Sequence, residues 1–293
     1  MRRSREAGII DYHEPTSVDE AVALLVSDEE SRCLAGGATL VAMMNFGVMQ
    51  PSALVSLRRI EELRGIHLDE QGGLRIGAMT SHQEVAAEER LVGSNDVVRE
   101  AAASIDVAIR NMGTIGGAVS HADPASDLNT ALVAAGAQVE IAGPTGRHTV
   151  PIDEFFLFYL TTVLESNEVV TAVRLPVAPV GSVGAFDKVC RVHGDTPTLS
   201  AAVTLEFETD EISNARLVIG ACGPVPVRVA DADAHLIGSA AADEAIEAAC
   251  VILTEAAEPP DDVRGSAEYR RLLIPRVATR LIRRAVEKRE PSQ

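Results

Sequence analysis

Two clusters of glycine carry the residues best suited to chemistry in this sequence. The first is LAGGATL, residues 34–40, and the second is GTIGGAV, residues 113–119; each lies between an apolar run and a predicted helix. Glycine has no Cβ, so backbone N–H groups can converge there, and consecutive N–H groups at a turn or helix start bind anions such as phosphate. Thr39 and Thr114 could add hydroxyl donors. Neither cluster matches G-x-G-x-x-G or the P-loop pattern, which disfavours a standard Rossmann or P-loop site.

Two such clusters in one half of the chain predict a dinucleotide site, because a pyrophosphate can then be held from both sides. Asp127 follows the second cluster, and a carboxylate suits the hydroxyls of a ribose. The same residue also fits a helix N-cap before LNTALVAAGA, and both roles stay open. From the residues alone, this half of the chain is predicted to bind a phosphate or a dinucleotide.

The histidines offer weaker chemistry. His121 and Asp123 form an H-x-D pair, but no third metal ligand lies nearby in the sequence, so we predict no metal site. His193 precedes Asp195 in the polar segment KVCRVHGDTPT, which we interpret as a surface loop. The sequence has neither a G-x-S-x-G motif nor a Ser-His-Asp context that would favour hydrolysis.

The elements that must position these residues follow from hydrophobic periodicity, capping residues and glycine turns. Strand, glycine turn, helix and strand succeed one another over residues 31–57, which predicts a small βαβ unit. Ser17, with Glu20 three residues later, predicts a capped helix before that unit. The later predicted elements are a hairpin turning at Gly72-Gly73, helices over 81–92 and 96–109, a helix and strand over 128–143, two antiparallel strands to about 177, a hairpin over 197–223 and Ala-rich helices over 229–287.

The segment APVGSVGAF, residues 178–186, is the predicted linker. It consists of small residues with glycine and proline and carries no charge before Asp187. We therefore expect two domains of mixed α and β structure that meet near residue 180.

Composition excludes several classes of function. The 293 residues are 46% hydrophobic, which supports a large core, and the net charge of −17 argues against a nucleic-acid partner. The four cysteines are scattered, so the chain is not expected to hold an iron–sulfur cluster or structural zinc, and free thiols are typical of a reducing cytoplasm. The N-terminal residues 1–15 lack the apolar core of a signal peptide, and no apolar stretch is long enough to span a membrane. We predict a cytoplasmic protein.

At the glycine clusters the sequence resembles a known family. LAGGATLVAMMNFGVMQPSALVSL and IRNMGTIGGAVSHADPASDLNTALVAAGA resemble the FAD-binding medium subunits of molybdenum hydroxylases, which include the carbon monoxide dehydrogenase and xanthine dehydrogenase types. The likeness continues in FDKVCRVHGDTPTLSAAV, IGACGPVPVRV and DVRGSAEYRRLLIPRVATRLIRRA, so it covers nearly the whole chain.

The resemblance implies a fold and a division into domains. The fold is an α+β or α/β architecture of the vanillyl-alcohol-oxidase (PCMH) type, with FAD between two α/β subdomains. The FAD-binding domain would span residues 1–178, with subdomains of about 1–58 and 59–178. Residues 179–293 would form a C-terminal domain made of a small antiparallel sheet and helices.

The resemblance also implies the cofactor site. Asp127 would hold the adenosine ribose, Ile105 and Val170 would line the cofactor, and Lys188 would lie near the flavin, where a cation can stabilise its reduced anionic form. The residues that would wrap the diphosphate from the first cluster are Cys33, Leu34, Ala35, Gly36, Gly37, Ala38, Thr39 and Leu40. The second wall would be formed by Thr114, Ile115, Gly116, Gly117 and Ala118.

The chain departs from the family pattern at three places. Many relatives have Asn at the position of Ala118, and the loop RVHGD differs from the commoner RRxGD type, which makes His193 a further candidate neighbour of the flavin. The insertion that carries [4Fe–4S] ligands in some relatives is missing. At Ala118 one side-chain hydrogen bond of the relatives is expected to be absent or replaced by backbone, and the changed loop leaves open what faces the isoalloxazine ring.

The activity that the resemblance implies is electron relay, with no catalytic residue in this chain. A large molybdopterin subunit would oxidise the substrate, a small subunit would carry [2Fe–2S] clusters, and the assembly would be a dimer of heterotrimers. Electrons would reach the FAD of this chain and leave to a quinone, NAD or oxygen. Two alternatives stay open: a non-catalytic assembly subunit that has lost productive flavin, and a stand-alone flavin reductase.

Overall fold

A computed structural model of the chain describes residues 10–289. Residues 1–9 lie outside the described residues. They include most of the segment 1–15, for which the sequence predicts no signal peptide. Within the described residues, three larger sheets, each accompanied by helices, follow one another along the chain, and a fourth sheet has only two strands. None of the helices within residues 10–289 is both long and apolar enough to cross a membrane.

The first unit is a three-stranded parallel sheet with strand order β1-β3-β2. Its elements are β1 (Asp11–His13), α1 (Val18–Ser27), β2 (Arg32–Leu34), α2 (Leu40–Asn45) and β3 (Ala53–Ser56). Ser17 caps α1 by accepting the N–H of Glu20, because a hydroxyl at this position satisfies a donor that the first helical turn leaves free. The predicted capped helix and the predicted βαβ unit are both confirmed.

The second unit is a five-stranded antiparallel sheet with strand order β4-β5-β10-β6-β7, covered by short helices. The hairpin predicted at Gly72-Gly73 is its β4–β5 pair. The strands are β4 (Ile66–Leu68), β5 (Leu74–Gly77), β6 (Gln138–Gly143), β7 (Gly146–Pro151) and β10 (Val169–Leu175), and β8 (Phe156–Phe158) pairs separately with β9 (Thr161–Thr162). The helices are α3 (His82–Ala86), α4 (Asp96–Ala103), α5 (Val107–Met112), α6 (Ile115–His121), α7 (Asp127–Ala134) and α8 (Ile152–Phe155).

The helix predicted over 96–109 is wrong, because the chain breaks between α4 and α5. Asp106 caps α5 with its side chain, which accepts the N–H of Ala108. The backbone N–H of Asp106 bonds instead to the carbonyl of Gly194, a residue far away in sequence. A long-range hydrogen bond therefore replaces one that a continuous helix would have made.

The third unit is a four-stranded antiparallel sheet with strand order β11-β12-β13-β14. Along β12, Leu199, Ala201 and Val203 pack in one core with the C-terminal helices, whereas Ala202 belongs to the core of the second unit, as strand alternation requires. The strands are β11 (Val183–Val189), β12 (Leu199–Glu208), β13 (Glu211–Gly220) and β14 (Val227–Arg228), and the helices are α9 (Ala230–Leu236), α10 (Asp243–Ala256) and α11 (Ala267–Glu287). The sheet thus lies between its own helices and the second unit.

The predicted linker is wrong over its second half, since β11 begins at Val183. Ala185 and Phe186 are buried, so this stretch lacks charge because it is core. A Cβ on Gly184 would lie 2.3 Å from the carbonyl oxygen of Ser94, which explains why the strand carries glycine at a close contact. The irregular connection covers residues 176–182, and the division into domains at 178/179 stays a prediction.

Candidate functional site

A cavity of about 720 Å³ lies where the three units meet. Its wall combines the turn between β2 and α2, the start of α6, the turn between α6 and α7, the loop before β10 and residues 194–197 between β11 and β12. The volume falls within the range of small-molecule and cofactor sites. The cavity therefore gathers segments that are far apart in sequence around one space large enough for a ligand.

The first glycine cluster forms the turn from β2 into α2 and lines this cavity. Gly37 adopts the left-handed conformation with φ of +80°. Among residues 10–289, the backbone N–H groups of Gly36, Gly37, Ala38 and Thr39 find no hydrogen-bond partner. Unpaired consecutive N–H groups on a cavity wall favour an anion as ligand.

Gly36 also brings the two glycine clusters together. A Cβ on this residue would lie 1.7 Å from the backbone carbonyl oxygen of Met112, the last residue of α5. Backbone cannot move aside as a side chain can, so only glycine fits at this contact. The absent side chain therefore sets the distance between the two walls of the cavity.

The second cluster is helical rather than a loop, and most of its amides are already bonded. Thr114 caps α6 by accepting the N–H of Gly117 at 3.2 Å. The N–H of Ile115 bonds to the carbonyl of Thr80, and that of Gly116 bonds to the carbonyl of Ala78. The expectation of a second set of unpaired amides is therefore not met at these residues.

The glycine at position 116 has a packing reason. A Cβ there would lie 2.5 Å from the Cβ of Ala78, next to β5. Thr114, Gly116, Gly117 and Ala118 still line the cavity, whereas Ile115 is fully buried in the core. Contacts within the protein thus hold this wall in place. It offers a ligand a surface to pack against and few free N–H donors.

Asp127 is the first residue of α7, and its side chain is almost completely buried. Ser126 is the N-cap, because its hydroxyl accepts the N–H of Asn129, so the alternative of Asp127 as the cap is wrong. The carboxylate accepts a hydrogen bond from Lys188 Nζ at 2.6 Å and one from Ser104 Oγ at 3.3 Å. Its Oδ1 is buried without a partner among residues 10–289, although Asp127 lines the cavity.

Lys188 joins the wall of the cavity to a loop of the third unit. Besides Asp127, its Nζ donates to the carbonyl of Asp195 at 2.9 Å, and residues 194–197 line the cavity. The N–H of Asp106 holds the same loop through the carbonyl of Gly194. The side chain of Lys188 is therefore engaged with protein partners, and the residue does not itself line the cavity within the described part of the chain.

Burial raises the pKa of Asp127 from its ordinary value of 3.8 to about 6, although Lys188 and Ser104 both act to lower it. The native state then binds the proton more tightly than the unfolded chain does. Protonated Asp127 therefore stabilises the folded protein fully at pH values below 3.8. This contribution of about 3 kcal/mol to the free energy of unfolding is lost as the pH rises through 6.

We expect the Asp127 carboxyl to titrate with a midpoint near pH 6. The measurement is the ¹³Cγ chemical shift of Asp127 in labelled protein, followed by NMR between pH 3 and 8, with Asp127→Asn used to assign the signal. A midpoint at or below its ordinary value of 3.8 would show that the ion pair with Lys188 outweighs burial.

Several other predicted site residues reach the cavity and some do not. Cys33 lines it, and burial raises the pKa of its thiol to about 12, so the group is a neutral thiol. The other predicted residues on the wall are Ala35, Gly36, Gly37, Ala38, Thr39, Leu40, Ile105 and Val170. Over residues 10–289, the wall leaves out Leu34 and His193, and His193 is exposed.

The wall also contains residues that sequence reasoning assigns to no ligand. His121 and Asp123 line the cavity, although the sequence analysis considers their H-x-D spacing only as a possible metal site. Glu165 and Glu168 come from the loop before β10, and Thr196 comes from the third unit. Gly194, two residues before Thr196 and in the left-handed conformation, is a local signal for this part of the wall, because glycine in a polar loop often marks a tight turn.

Two family descriptions match this sequence. Residues 6–178 match "FAD binding domain in molybdopterin dehydrogenase", and residues 184–285 match "CO dehydrogenase flavoprotein C-terminal domain". The chain belongs to the FAD-binding subunits of the molybdenum hydroxylases. The resemblance is thereby confirmed, and family membership makes the chain an oxidoreductase subunit with FAD as its cofactor.

Relatives of this family are similar over nearly their whole length. The carbon monoxide dehydrogenase medium chain of Hydrogenophaga pseudoflava is 36% identical, over 94% of this chain and 96% of that protein. The 6-hydroxypseudooxynicotine dehydrogenase complex subunit alpha of Paenarthrobacter nicotinovorans is 33% identical, over 97% and 96%.

A solved structure shows the same fold. It is that of carbon monoxide dehydrogenase from Hydrogenophaga pseudoflava lacking the Mo-pyranopterin moiety of the molybdenum cofactor. The matching chain is 35% identical, with a TM-score of 0.93 over 97% of this chain and 99% of that one. The predicted fold, a PCMH-type FAD-binding part followed by an antiparallel sheet with helices, is confirmed.

Proposed function

We propose that this chain is the flavoprotein component of a three-subunit molybdenum hydroxylase. It receives electrons from the [2Fe–2S] clusters of a small partner subunit and passes them to an external acceptor, which is a quinone, NAD or oxygen. A large molybdopterin subunit oxidises the substrate, and the assembly is a dimer of heterotrimers. The observation that carries the proposal is the cavity whose wall includes the carboxylate of Asp127 and four consecutive amides that have no hydrogen-bond partner among residues 10–289.

The residues on the wall fit FAD in charge and polarity. The N–H groups of residues 36–39 suit the diphosphate, because they lie side by side without protein acceptors within the described residues. Asp127 Oδ1, which has no partner within the described part of the chain, can accept a hydrogen bond from a ribose hydroxyl. Ile105 and Val170 offer apolar contact for the rings. FAD bound there supplies transfer of either one or two electrons, which matches single-electron clusters to two-electron acceptors.

Other features support the proposed partner subunits and the proposed cellular location. Relatives carry names such as "medium chain" and "complex subunit alpha", which describe parts of larger assemblies. Cys33, Cys190, Cys222 and Cys250 are all free thiols, as expected for a reducing cytoplasm, where we place the protein. In this proposal the large subunit oxidises the substrate, so the identity of the substrate is determined by residues outside this chain.

The test is a titration of the purified chain with FAD, followed by flavin absorbance and thermal unfolding. At an FAD concentration 100 times the dissociation constant, we expect about 2.7 kcal/mol of added stability, which raises the unfolding temperature by several degrees. The bound flavin should bleach when an electron donor is supplied. Absence of both a flavin spectrum and thermal stabilisation would refute FAD binding, and a bound flavin that never bleaches would favour the assembly subunit.

A further inference from the structure

His82 is a buried histidine on the wall of the cavity whose ring has no hydrogen-bond partner. It is the first residue of α3 and is only 6% exposed, whereas the other histidines, all within residues 10–289, are half-buried or exposed. Both ring nitrogens, Nδ1 and Nε2, are buried and make no hydrogen bond with the described residues, although His82 lines the cavity. Buried polar groups in folded proteins are nearly always hydrogen-bonded, so this ring indicates a partner that enters from the cavity.

The backbone around His82 holds the imidazole in place. The N–H of His82 donates to the carbonyl of Gly113 at 3.0 Å, and Ser81 and Glu84 form a capping box that fixes the start of α3. A Cβ on Gly113 would lie 2.7 Å from Cε1 of the ring and 3.0 Å from its Nδ1. The glycine that opens the second cluster therefore leaves the room that the imidazole occupies.

Gly113 lies between the imidazole and the first glycine cluster. A Cβ on Gly36 would lie 3.4 Å from the Cα of Gly113, on which the ring of His82 also packs. Gly36 is the first of residues 36–39, whose amides have no hydrogen-bond partner among residues 10–289. All three residues line the cavity. The imidazole thus borders, from the second unit, the same part of the cavity that these amides border from the first.

Burial keeps this imidazole neutral. It lowers the pKa of His82 below its ordinary value of 6.5. The backbone of Thr114 acts in the opposite direction, but it makes no hydrogen bond of ordinary geometry with the ring. A neutral imidazole has one N–H donor and one acceptor nitrogen. The ring can therefore offer a donor to an anion without placing an unpaired positive charge on the wall when no ligand is bound.

We propose that His82 binds the diphosphate of the cofactor, with its ring N–H donating to a phosphate oxygen. The inference rests on the proposed function, because it takes the FAD diphosphate to lie on the amides of residues 36–39. The second cluster was expected to hold the diphosphate from the other side, yet the amides of Ile115 and Gly116 are bonded within the protein. The imidazole supplies the donor that this second wall otherwise lacks.

A second histidine on the wall shows why burial matters. His121 also lines the cavity, but it is half-buried, so water can satisfy its ring nitrogens without a ligand. His82 has no such access, because both of its ring nitrogens are buried. The need for a partner from the cavity therefore applies to His82, and His121 receives no assignment.

The experiment compares three ligands in the full chain, prepared free of flavin: FAD, ADP and riboflavin. His82→Phe keeps an aromatic ring and removes both nitrogens. We expect it to raise the dissociation constants of FAD and ADP at least about tenfold, because a hydrogen bond to a charged oxygen is lost. Riboflavin has no phosphate, so its dissociation constant should stay the same. His235→Phe is the matched control, since His235 is exposed on α9 and is not among the described residues of the wall.

A second measurement uses the wild-type chain alone. The pKa of the His82 ring is followed by NMR with and without FAD. A phosphate oxygen that accepts the ring N–H favours the protonated ring, so FAD should raise this pKa. A ligand that only buries the ring further would lower it, because burial disfavours the charged form. The sign of the change therefore separates a hydrogen bond from simple contact.

The outcomes separate the two proposals. If the wild-type chain binds no FAD, the proposed function fails and the role of His82 fails with it. If His82→Phe binds FAD and ADP as tightly as wild type, the role of His82 is wrong and the proposed function stands. Equal losses for ADP and riboflavin would show that the ring only shapes the cavity, which also overturns the role. If His82→Phe does not fold, the ring pKa decides: a rise with FAD supports the proposal, and a fall or no change overturns it.

Discussion

Gly36→Ala is expected to weaken FAD binding by at least about 100-fold, or about 2.7 kcal/mol. The added Cβ would lie 1.7 Å from the carbonyl oxygen of Met112, so the turn of residues 35–39 must move away from α5. That movement separates the unpaired amides from the opposite wall of the cavity, and overpacking against backbone adds its own cost in stability. Flavin retained after purification and the dissociation constant for added FAD measure the effect.

Gly223→Ala is the control for this substitution. Its Cβ would lie 3.0 Å from a methyl group of Val227, a side chain that can adjust, and 3.3 Å from the carbonyl oxygen of Val225. Gly223 is not among the described residues that line the cavity. FAD affinity should stay within a factor of two of wild type. Equal affinity in Gly36→Ala and wild type would mean that the close approach of the two clusters does not shape the cofactor site.

Lys188→Met is expected to reduce the free energy of unfolding by about 3–5 kcal/mol at pH 8. The substitution leaves the Asp127 carboxylate buried with only the hydroxyl of Ser104 as partner, and an uncompensated buried charge is costly. It also removes the contact between Lys188 Nζ and the carbonyl of Asp195. Denaturant unfolding at pH 8 and at pH 5 measures the loss, which should shrink at pH 5 because Asp127 is then protonated.

The double variant Asp127→Asn/Lys188→Met separates charge from packing. Removing both charges should recover most of the stability lost in Lys188→Met at pH 8, because no buried charge is then left without a partner. If Lys188→Met lost the same stability at both pH values, the lysine would act through packing of its side chain, and burial would not raise the pKa of Asp127.

Much of the local structure could be predicted from the sequence because its causes are local. Ser17 caps α1 and the Gly72-Gly73 turn closes the β4–β5 hairpin, since each depends on residues a few positions apart. The first glycine cluster is likewise a turn between a strand and a helix, with Gly37 in the conformation that glycine permits. The break between α4 and α5 has one local cause, the Asp106 N-cap, and one that no local pattern records, the hydrogen bond from the Asp106 N–H to the carbonyl of Gly194.

The candidate site shows the same division. The sequence by itself determined that the cluster at 34–40 would offer bare amides, because glycine, turn and helix start are all encoded within seven residues. Only the tertiary structure decided that the amides of Ile115 and Gly116 are already bonded and that Asp127 pairs with Lys188, 61 positions away. Hydrogen bonds and burial depend on which distant segments come together, and no local pattern records those neighbours.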